Sequence, residues 1–321
     1  MPTVFVSCDL PANVAQWIDA DIVVGDASGD CTRENFERGV SEADAAIVLL
    51  SDRVDESLLA KSPRLRIVAN YAVGFDNIDI EAATKRGVWV SNTPGVLTEA
   101  SADLAWTLIL SAARRVIEGH RLVEAGDFTG VWPTTLLGKE LHGCTLGVFG
   151  FGRIGQAVAR RARAFGMNVI YTSRSPVALP IREGLQATPV TFDELIARSD
   201  VLSIHCPLTS QTRHLFNETT FTKMKNDALL INTARGPVVD EAALVDALDR
   251  REIGAAGLDV YEFEPNVHRG LIGRNDVVLL PHIGSATTAT RQKMAKMAAE
   301  NVADALGGRR PRHALNQVAL R

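Results

Sequence analysis

The glycines of Gly150-Phe-Gly-Arg-Ile-Gly155 fall at the spacing G-x-G-x-x-G, a pattern in which a tight turn sets backbone amides against a pyrophosphate. In that reading Gly150 makes the turn, Gly152 lets the backbone approach the phosphates, and Gly155 lets helix and strand pack closely. Arg153 and Ile154 then open a helix whose free N–H groups face the anion. Three further polar residues lie in the segments just beyond apolar runs: Arg235 after Asn232-Thr233-Ala234, Glu264 after Asp259-Val-Tyr-Glu-Phe263, and His282 after Leu279-Leu-Pro281. An arginine so placed can hold a carboxylate with two parallel hydrogen bonds, and a histidine can exchange a proton near neutral pH. A carboxylate beside an imidazole fixes its tautomer and raises its pKa. Taken together these groups read as machinery for hydride transfer. Each alone has a plainer reading: a tight turn, an arginine capping carbonyls, a rim glutamate, a satisfied core histidine.

The end of the strand after the glycines bears on which dinucleotide is used. An NAD site places Asp or Glu about 20 residues beyond the glycines to accept from the ribose 2′-OH. Between Gly155 and Glu183 the chain has no acidic residue, and the strand ends Thr172-Ser173-Arg174-Ser175. A hydroxyl and a planar cation suit a 2′-phosphate. The expectation is NADP(H) in preference, with NAD(H) possible.

These residues need an alternating scaffold. Thr145–Phe149, the glycine turn, a helix over Gln156–Phe165 and a strand over Asn168–Thr172 make a βαβ opening. Past a Pro-containing loop come a helix over Phe192–Ser199 and strands over Val201–His205, Ala228–Asn232, Ala255–Asp259 and Val277–Leu280, with Pro207–Ser210 as a strand end and a helix over Asp240–Arg251. Six strands from 145 to 280 suit a doubly wound parallel sheet. Upstream, Thr3–Ser7, Asp44–Leu50, Leu65–Ala69 and Val88–Ser91 read as strands of a smaller α/β domain, with a short helix over Ile78–Arg86 ended by Gly87. Ser101–Gly126 reads as one long helix connecting the domains, and Thr287–Leu306 as an Ala- and Met-rich closing helix packed on both sides. The cleft between the domains is the expected site.

A chain of 321 residues exceeds what one core usually holds. With 34 Lys and Arg against 38 Asp and Glu, scattered along the chain, there is no basic field for nucleic acid. The longest near-apolar run, Leu104–Ala113, is far short of the ~18 residues a membrane span needs, and no secretory signal opens the chain. Cys8, Cys31, Cys144 and Cys206 show no C-x-x-C spacing, which argues against a zinc cluster or any other metal site and for buried free thiols in a reducing cytoplasm.

Over nearly its whole length the sequence resembles the D-isomer-specific 2-hydroxyacid dehydrogenase family, most closely its glyoxylate and hydroxypyruvate reductases. The resemblance is carried by Asn70-Tyr-Ala-Val-Gly-Phe-Asp-Asn-Ile-Asp79, Asn92-Thr-Pro-Gly-Val-Leu-Thr-Glu-Ala100, the glycine motif, Asn232-Thr-Ala-Arg-Gly-Pro237, Gly257-Leu-Asp-Val-Tyr261 with Glu264-Pro265, and Pro281-His-Ile-Gly-Ser285. It implies two Rossmann-like or flavodoxin-like α/β domains with parallel sheets, the cofactor domain (99–285) inserted into a discontinuous substrate domain (1–98 and 286–321), and a homodimer joined through the cofactor domain. It implies Arg235, Glu264 and His282 as catalytic residues, with Val73 and Gly74 amides, Arg235, His282 and Ser285 around a small 2-keto acid. Around the dinucleotide it implies Thr98, Gly150, Gly152, Arg153, Ile154, Gly155, Ser173, Arg174, His205, Cys206, Pro207, Thr212, Thr233, Ala234, Arg235, Asp259, His282 and Gly284, with Asp259 on the nicotinamide carboxamide. Two features depart from the pattern. Many relatives carry an arginine soon after the first strand where this chain has Ser7-Cys8-Asp9, and Trp132 lies in a loop from which some relatives send an aromatic residue into the neighbouring subunit's site. Alternatives are a D-3-phosphoglycerate dehydrogenase-like enzyme, a 2-ketogluconate reductase, or a dinucleotide-sensing corepressor. Corepressors usually carry extra tails, and formate dehydrogenases have glutamine where Glu264 stands.

Overall fold

The computed structural model describes residues 1–26 and 31–318. The chain divides into two compact units, Met1–Leu97 with Ser285–Arg321, and Thr98–Gly284. The first unit has strands β1 (Thr3–Cys8), β2 (Asp21–Asp26), β3 (Ala45–Val48), β4 (Ile67–Asn70) and β5 (Trp89–Ser91), in the order β2-β1-β3-β4-β5. All its pairings are parallel, and the order is that of a flavodoxin-like sheet. The second unit has β6 (Thr145–Phe149), β7 (Asn168–Thr172), β8 (Ala187–Pro189), β9 (Val201–Ile204), β10 (Leu229–Asn232), β11 (Ala255–Leu258) and β12 (Val277–Leu279). Their order, β12-β11-β10-β9-β6-β7-β8, is the doubly wound order of a dinucleotide-binding sheet extended by one strand. Its switch point lies between β6 and β9.

The central strands are continuous apolar runs because helices cover both faces of a parallel sheet. The last helix, Thr288–Leu306, returns the chain to the first unit, where Ala295, Ala298, Ala299 and Val302 pack with Val4, Val6, Ile47, Ile67 and Ala69. Small side chains along one stripe let that helix lie close to the sheet.

The structure departs from the sequence reading in several elements. Two of the four edge strands, β2 and β8, lie outside the sequence reading: Val23 and Val24 of β2 are exposed, and β8 has three residues ending in a proline, which an edge strand tolerates. The loop expected past Arg174 contains a helix, Leu179–Leu185. The strand at 201 ends at Ile204, so Pro207–Ser210 lies in the loop beyond it. The long helix is two, Thr98–Ala113 and Val116–Glu124, broken where Arg115 takes φ 51°. The break has a local cause. Lys139 N–H donates to the Ala113 carbonyl at 2.7 Å, and Gly138 runs so close that a methyl group there would overlap that oxygen. The first of the two helices buries Ala102, Ala105, Trp106, Ile109 and Ala113 in the second unit's core, and Trp106 Nε1 donates to the Val158 carbonyl at 3.0 Å. It is a core helix of that unit rather than a connector. Only Cys206 of the four free cysteines is buried; Cys8, Cys31 and Cys144 are half-buried. Among the described residues no helix is long and apolar enough to cross a membrane, and no group of three or more His, Cys, Asp and Glu is placed to hold a metal ion.

Candidate active site

At the switch point of the second unit, Gly150 takes φ 95° directly after β6. A Cβ on it would lie 2.6 Å from the His205 carbonyl oxygen at the end of β9, so the chain can turn there only as glycine. Gly155 lies as close to the Gly150 carbonyl, whereas a Cβ on Gly152 would meet nothing within 4 Å. Gly152 is the N-cap of the helix Arg153–Ala162 and supplies no side-chain cap, which leaves the first-turn amides free for an anion. Open space above Gly152, uncapped amides and a Thr233 hydroxyl buried without a partner among the described residues all fit a dinucleotide.

His205, Cys206, Pro207 and Thr212 follow β9. Burial pushes the His205 imidazole down to about 3 and the Cys206 thiol up to about 12, so both are neutral at working pH. His205 Nε2 pairs with Ser203 Oγ at 2.8 Å. The Thr212 hydroxyl donates to the Pro207 carbonyl at 2.8 Å and accepts from Thr209 N–H at 2.8 Å, which closes that turn on itself. At the end of β7, Ser173 Oγ donates to the Ser175 carbonyl at 2.9 Å. Arg174 is exposed and has no hydrogen bond or ion pair among the described residues. Thr98 begins the core helix and is half-buried.

Arg235, Glu264 and His282 come together through their loops. Asn232, at the end of β10, donates from Nδ2 to the Arg235 carbonyl at 3.0 Å and accepts from Ala234 N–H at 3.0 Å. Gly236 then packs against the Tyr261 backbone so closely that a methyl group would overlap its carbonyl. Tyr261 in turn donates its hydroxyl to the Leu280 carbonyl at 2.8 Å. The segments after β10, β11 and β12 are thereby tied together.

His282 Nδ1 lies 2.8 Å from Glu264 Oε2, and Glu264 Oε1 accepts from Tyr261 N–H at 2.9 Å. Burial pushes the Glu264 carboxyl up, but the hydrogen bond and charge of His282, the Tyr261 amide and the Arg235 charge outweigh it and hold the group below the usual carboxylate range. An ionised carboxylate only accepts, so Nδ1 carries the proton in this pair and Nε2 is left to face a reactant. His282 itself takes φ 52°, a left-handed conformation that costs a non-glycine residue about 1–2 kcal/mol. It is held there by Asp259, whose Oδ1 accepts from Ile283 N–H and Oδ2 from Gly284 N–H, both at 2.8 Å. The Ser101 hydroxyl donates to the Gly284 carbonyl at 3.3 Å. Asp259 is 1% exposed, and its burial outweighs the two amides and the His282 charge to push its carboxyl up. Both oxygens of Asp259, the residue that the resemblance puts on the nicotinamide carboxamide, orient the backbone after His282.

Sequence reasoning missed Glu241. Its carboxylate, 3% exposed, accepts from Glu262 N–H at 2.7 Å and His268 N–H at 3.2 Å, bracketing the loop that carries Glu264. Glu262 returns the contact, accepting from Glu241 N–H at 3.4 Å, and its other oxygen lies 2.6 Å from His214 Nε2.

Val73, Gly74 and Ser285 belong to the first unit. Val73 and Gly74 follow β4, their N–H groups have no acceptor among the described residues, and Ser285 accepts from Thr287 N–H at 2.7 Å through its carbonyl.

A family model for the D-isomer specific 2-hydroxyacid dehydrogenase, NAD binding domain, matches residues 106–284. A glyoxylate reductase of Aeropyrum pernix is 46% identical over 100% of this chain and 97% of its own length. The crystal structure of a glyoxylate reductase from Paecilomyes thermophila superposes with a TM-score of 0.88 at 33% identity, covering 98% of each chain. An NADPH-dependent glyoxylate/hydroxypyruvate reductase of Sinorhizobium meliloti, in complex with NADP and malonate, gives 0.85 at 34% identity over 100% of this chain and 98% of that one.

Proposed function

We propose that this chain, which belongs to the D-isomer-specific 2-hydroxyacid dehydrogenase family, reduces glyoxylate or hydroxypyruvate to the D-2-hydroxy acid with NADPH. The observation that carries the reading is the 2.8 Å contact of His282 Nδ1 with an ionised Glu264. It leaves Nε2 to deliver a proton to the substrate's carbonyl oxygen, and the pair recovers that proton from solvent after each turnover. The bound nicotinamide supplies the hydride to the carbonyl carbon. Arg235 grips the carboxylate and polarises the carbonyl, the Val73 and Gly74 amides donate to the same carboxylate, and Ser285 borders the substrate. The unit Thr98–Gly284 binds the dinucleotide, consistent with the matched NAD binding domain. The unit Met1–Leu97 with Ser285–Arg321 is the substrate domain.

Preference for NADPH rests on the missing carboxylate after β7 and on the exposed, unpaired Arg174. Preference for small keto acids rests on the named activities of the relatives. The protein is a homodimer in this reading, which the resemblance implies and which six exposed large apolar side chains within residues 116–137 of the second unit support: Val116, Val123, Phe128, Val131, Trp132 and Leu137. Four free thiols suit the cytoplasm. The deciding experiment is kcat/KM for a panel of 2-keto acids with NADPH and NADH. Highest values for glyoxylate or hydroxypyruvate with NADPH are expected. No turnover of any keto acid defeats the assignment, and a much higher value for 3-phosphohydroxypyruvate than for hydroxypyruvate defeats the substrate choice.

A further inference from the structure

The turn after β4 has an unusual division of its hydrogen bonds. The Ala72 carbonyl accepts from Thr93 N–H at 2.9 Å, the Val73 carbonyl from Asn92 Nδ2 at 2.7 Å, and the Gly74 carbonyl from Asn70 Nδ2 at 2.7 Å. The N–H groups of Val73, Gly74 and Phe75 have no acceptor among the described residues. In a planar trans peptide the C=O of one residue and the N–H of the next point in opposite directions. Each clamped carbonyl therefore fixes the aim of the following amide: Thr93 N–H sets Val73, Asn92 sets Gly74, and Asn70 sets Phe75.

The clamps are themselves rigid. Asn70 and Asn92 are 0% and 7% exposed. Asn70 also donates to Asn77 Oδ1 at 3.0 Å and accepts from Asn77 Nδ2 at 3.3 Å, while Asn77 Nδ2 donates to the Leu49 and Asp52 carbonyls at 3.0 and 2.9 Å. Asn92 is tied through its own carbonyl to Asn301 Nδ2 at 3.4 Å, and Asn301 Oδ1 accepts from His313 N–H at 3.0 Å. Placing two buried side-chain amides and a backbone amide on three successive carbonyls while the neighbouring backbone donors stay open makes sense if those donors meet an anion.

We propose that Asn92, supported by the Asn70–Asn77 pair, is a positioning residue for substrate. It holds the Val73–Gly74 peptide with its N–H outward, and so makes the turn a carboxylate receptor. The inference rests on the functional reading above, in which the Val73 and Gly74 amides meet the substrate's carboxylate.

The side chain must donate, so Asn92→Asp is the informative change. An ionised carboxylate cannot donate to the Val73 carbonyl and would draw the Gly74 N–H inward, turning the peptide's oxygen toward the substrate. At neutral pH KM for glyoxylate should rise by about thirtyfold or more, against about tenfold for Asn92→Ala, with kcat and the Kd for NADPH unchanged. On lowering the pH, the introduced carboxyl regains a proton and the ability to donate, so the KM of Asn92→Asp should return toward the parent's while that of Asn92→Ala does not. A role in folding alone would not produce that recovery. An independent measurement follows the Gly74 amide in the ¹⁵N-glycine-labelled parent with NADPH, where oxamate should shift its resonance, and in Asn92→Ala, where the shift should shrink. An unshifted Gly74 in a parent that oxamate inhibits overturns the amide contact and this inference with it. A shifted parent together with Asn92 variants of parental KM, or variants that lose NADPH affinity as much as substrate affinity, overturns the inference alone.

Discussion

Replacing Asp259 by asparagine should separate activity from stability in this protein. The carboxylate makes two charge-assisted hydrogen bonds at 2.8 Å, one to each amide after His282. Asparagine keeps one acceptor of the same shape and turns its NH2 toward the other N–H. One such bond, worth about 1.5–3 kcal/mol, is lost and replaced by a donor facing a donor. His282 sits at φ 52°, so the segment has reason to relax when the restraint weakens. If the whole loss falls on the alignment of His282, kcat drops by about ten- to a hundredfold.

Stability should move differently. Burial raises the folded-state pKa of Asp259 above its unfolded value. For a group raised in this way, the associated stability is fully present below the unfolded pKa and is lost as pH rises through the folded one. At neutral pH the buried charge is therefore carried at a cost, which a neutral amide removes. The expected outcome is a kcat reduced by about ten- to a hundredfold with a Tm equal to or above the parent's at pH 7, and a Tm difference that shrinks or reverses as pH falls below the folded pKa. Steady-state kinetics and calorimetry over pH test it. A kcat within twofold of the parent, or kcat and Tm falling together, would refute the argument that Asp259 is retained for the geometry of His282.

Glu264→Gln should shift the alkaline limit of the reduction to lower pH, because the ionised carboxylate that favours a proton on the pair is gone; an unchanged kcat profile over pH counts against the pair. Arg174→Ala should weaken NADPH by about tenfold or more while leaving NADH nearly unchanged, measured as kcat/KM for each cofactor, and equal weakening of both excludes a 2′-phosphate contact. Glu241→Gln should lower kcat about tenfold with unchanged Kd for NADPH, since one of the two N–H groups bracketing the Glu264 loop loses its acceptor; a cofactor affinity that falls as far as kcat would mean general loosening of the second unit.

What could be seen in advance was set by periodicity and by glycine. All six strands expected between 145 and 280 are present because each is buried on both faces and reads as an unbroken apolar run. Of the four edge strands β2 and β8 escaped, because β2 has only Ile22-Val23-Val24 between acidic residues and a glycine, and β8 is three residues ending in proline. The helix break at Arg115 was hidden for another reason: nothing in Arg114-Arg115-Val116 stops a helix, and the chain that crosses its end lies more than twenty residues away at Gly138.

The same distinction divides the site. Arg235, Glu264 and His282 stand out because a charged or titratable side chain after an apolar strand is conspicuous. Asn92, Asn70 and Glu241 act through bonds to the backbone, which leave no mark on composition or spacing. Glu241 looks like any acid in a helix's first turn, and Asn70 like any polar strand end. Their significance lies in which peptide plane each one fixes, and that depends on partners brought from elsewhere in the chain: His268 for Glu241, Gly74 and Asn77 for Asn70. A buried polar side chain that acts by fixing a backbone group is accordingly the feature least legible in a sequence, and in this protein such side chains govern the orientation of the donors and acids that the sequence does reveal.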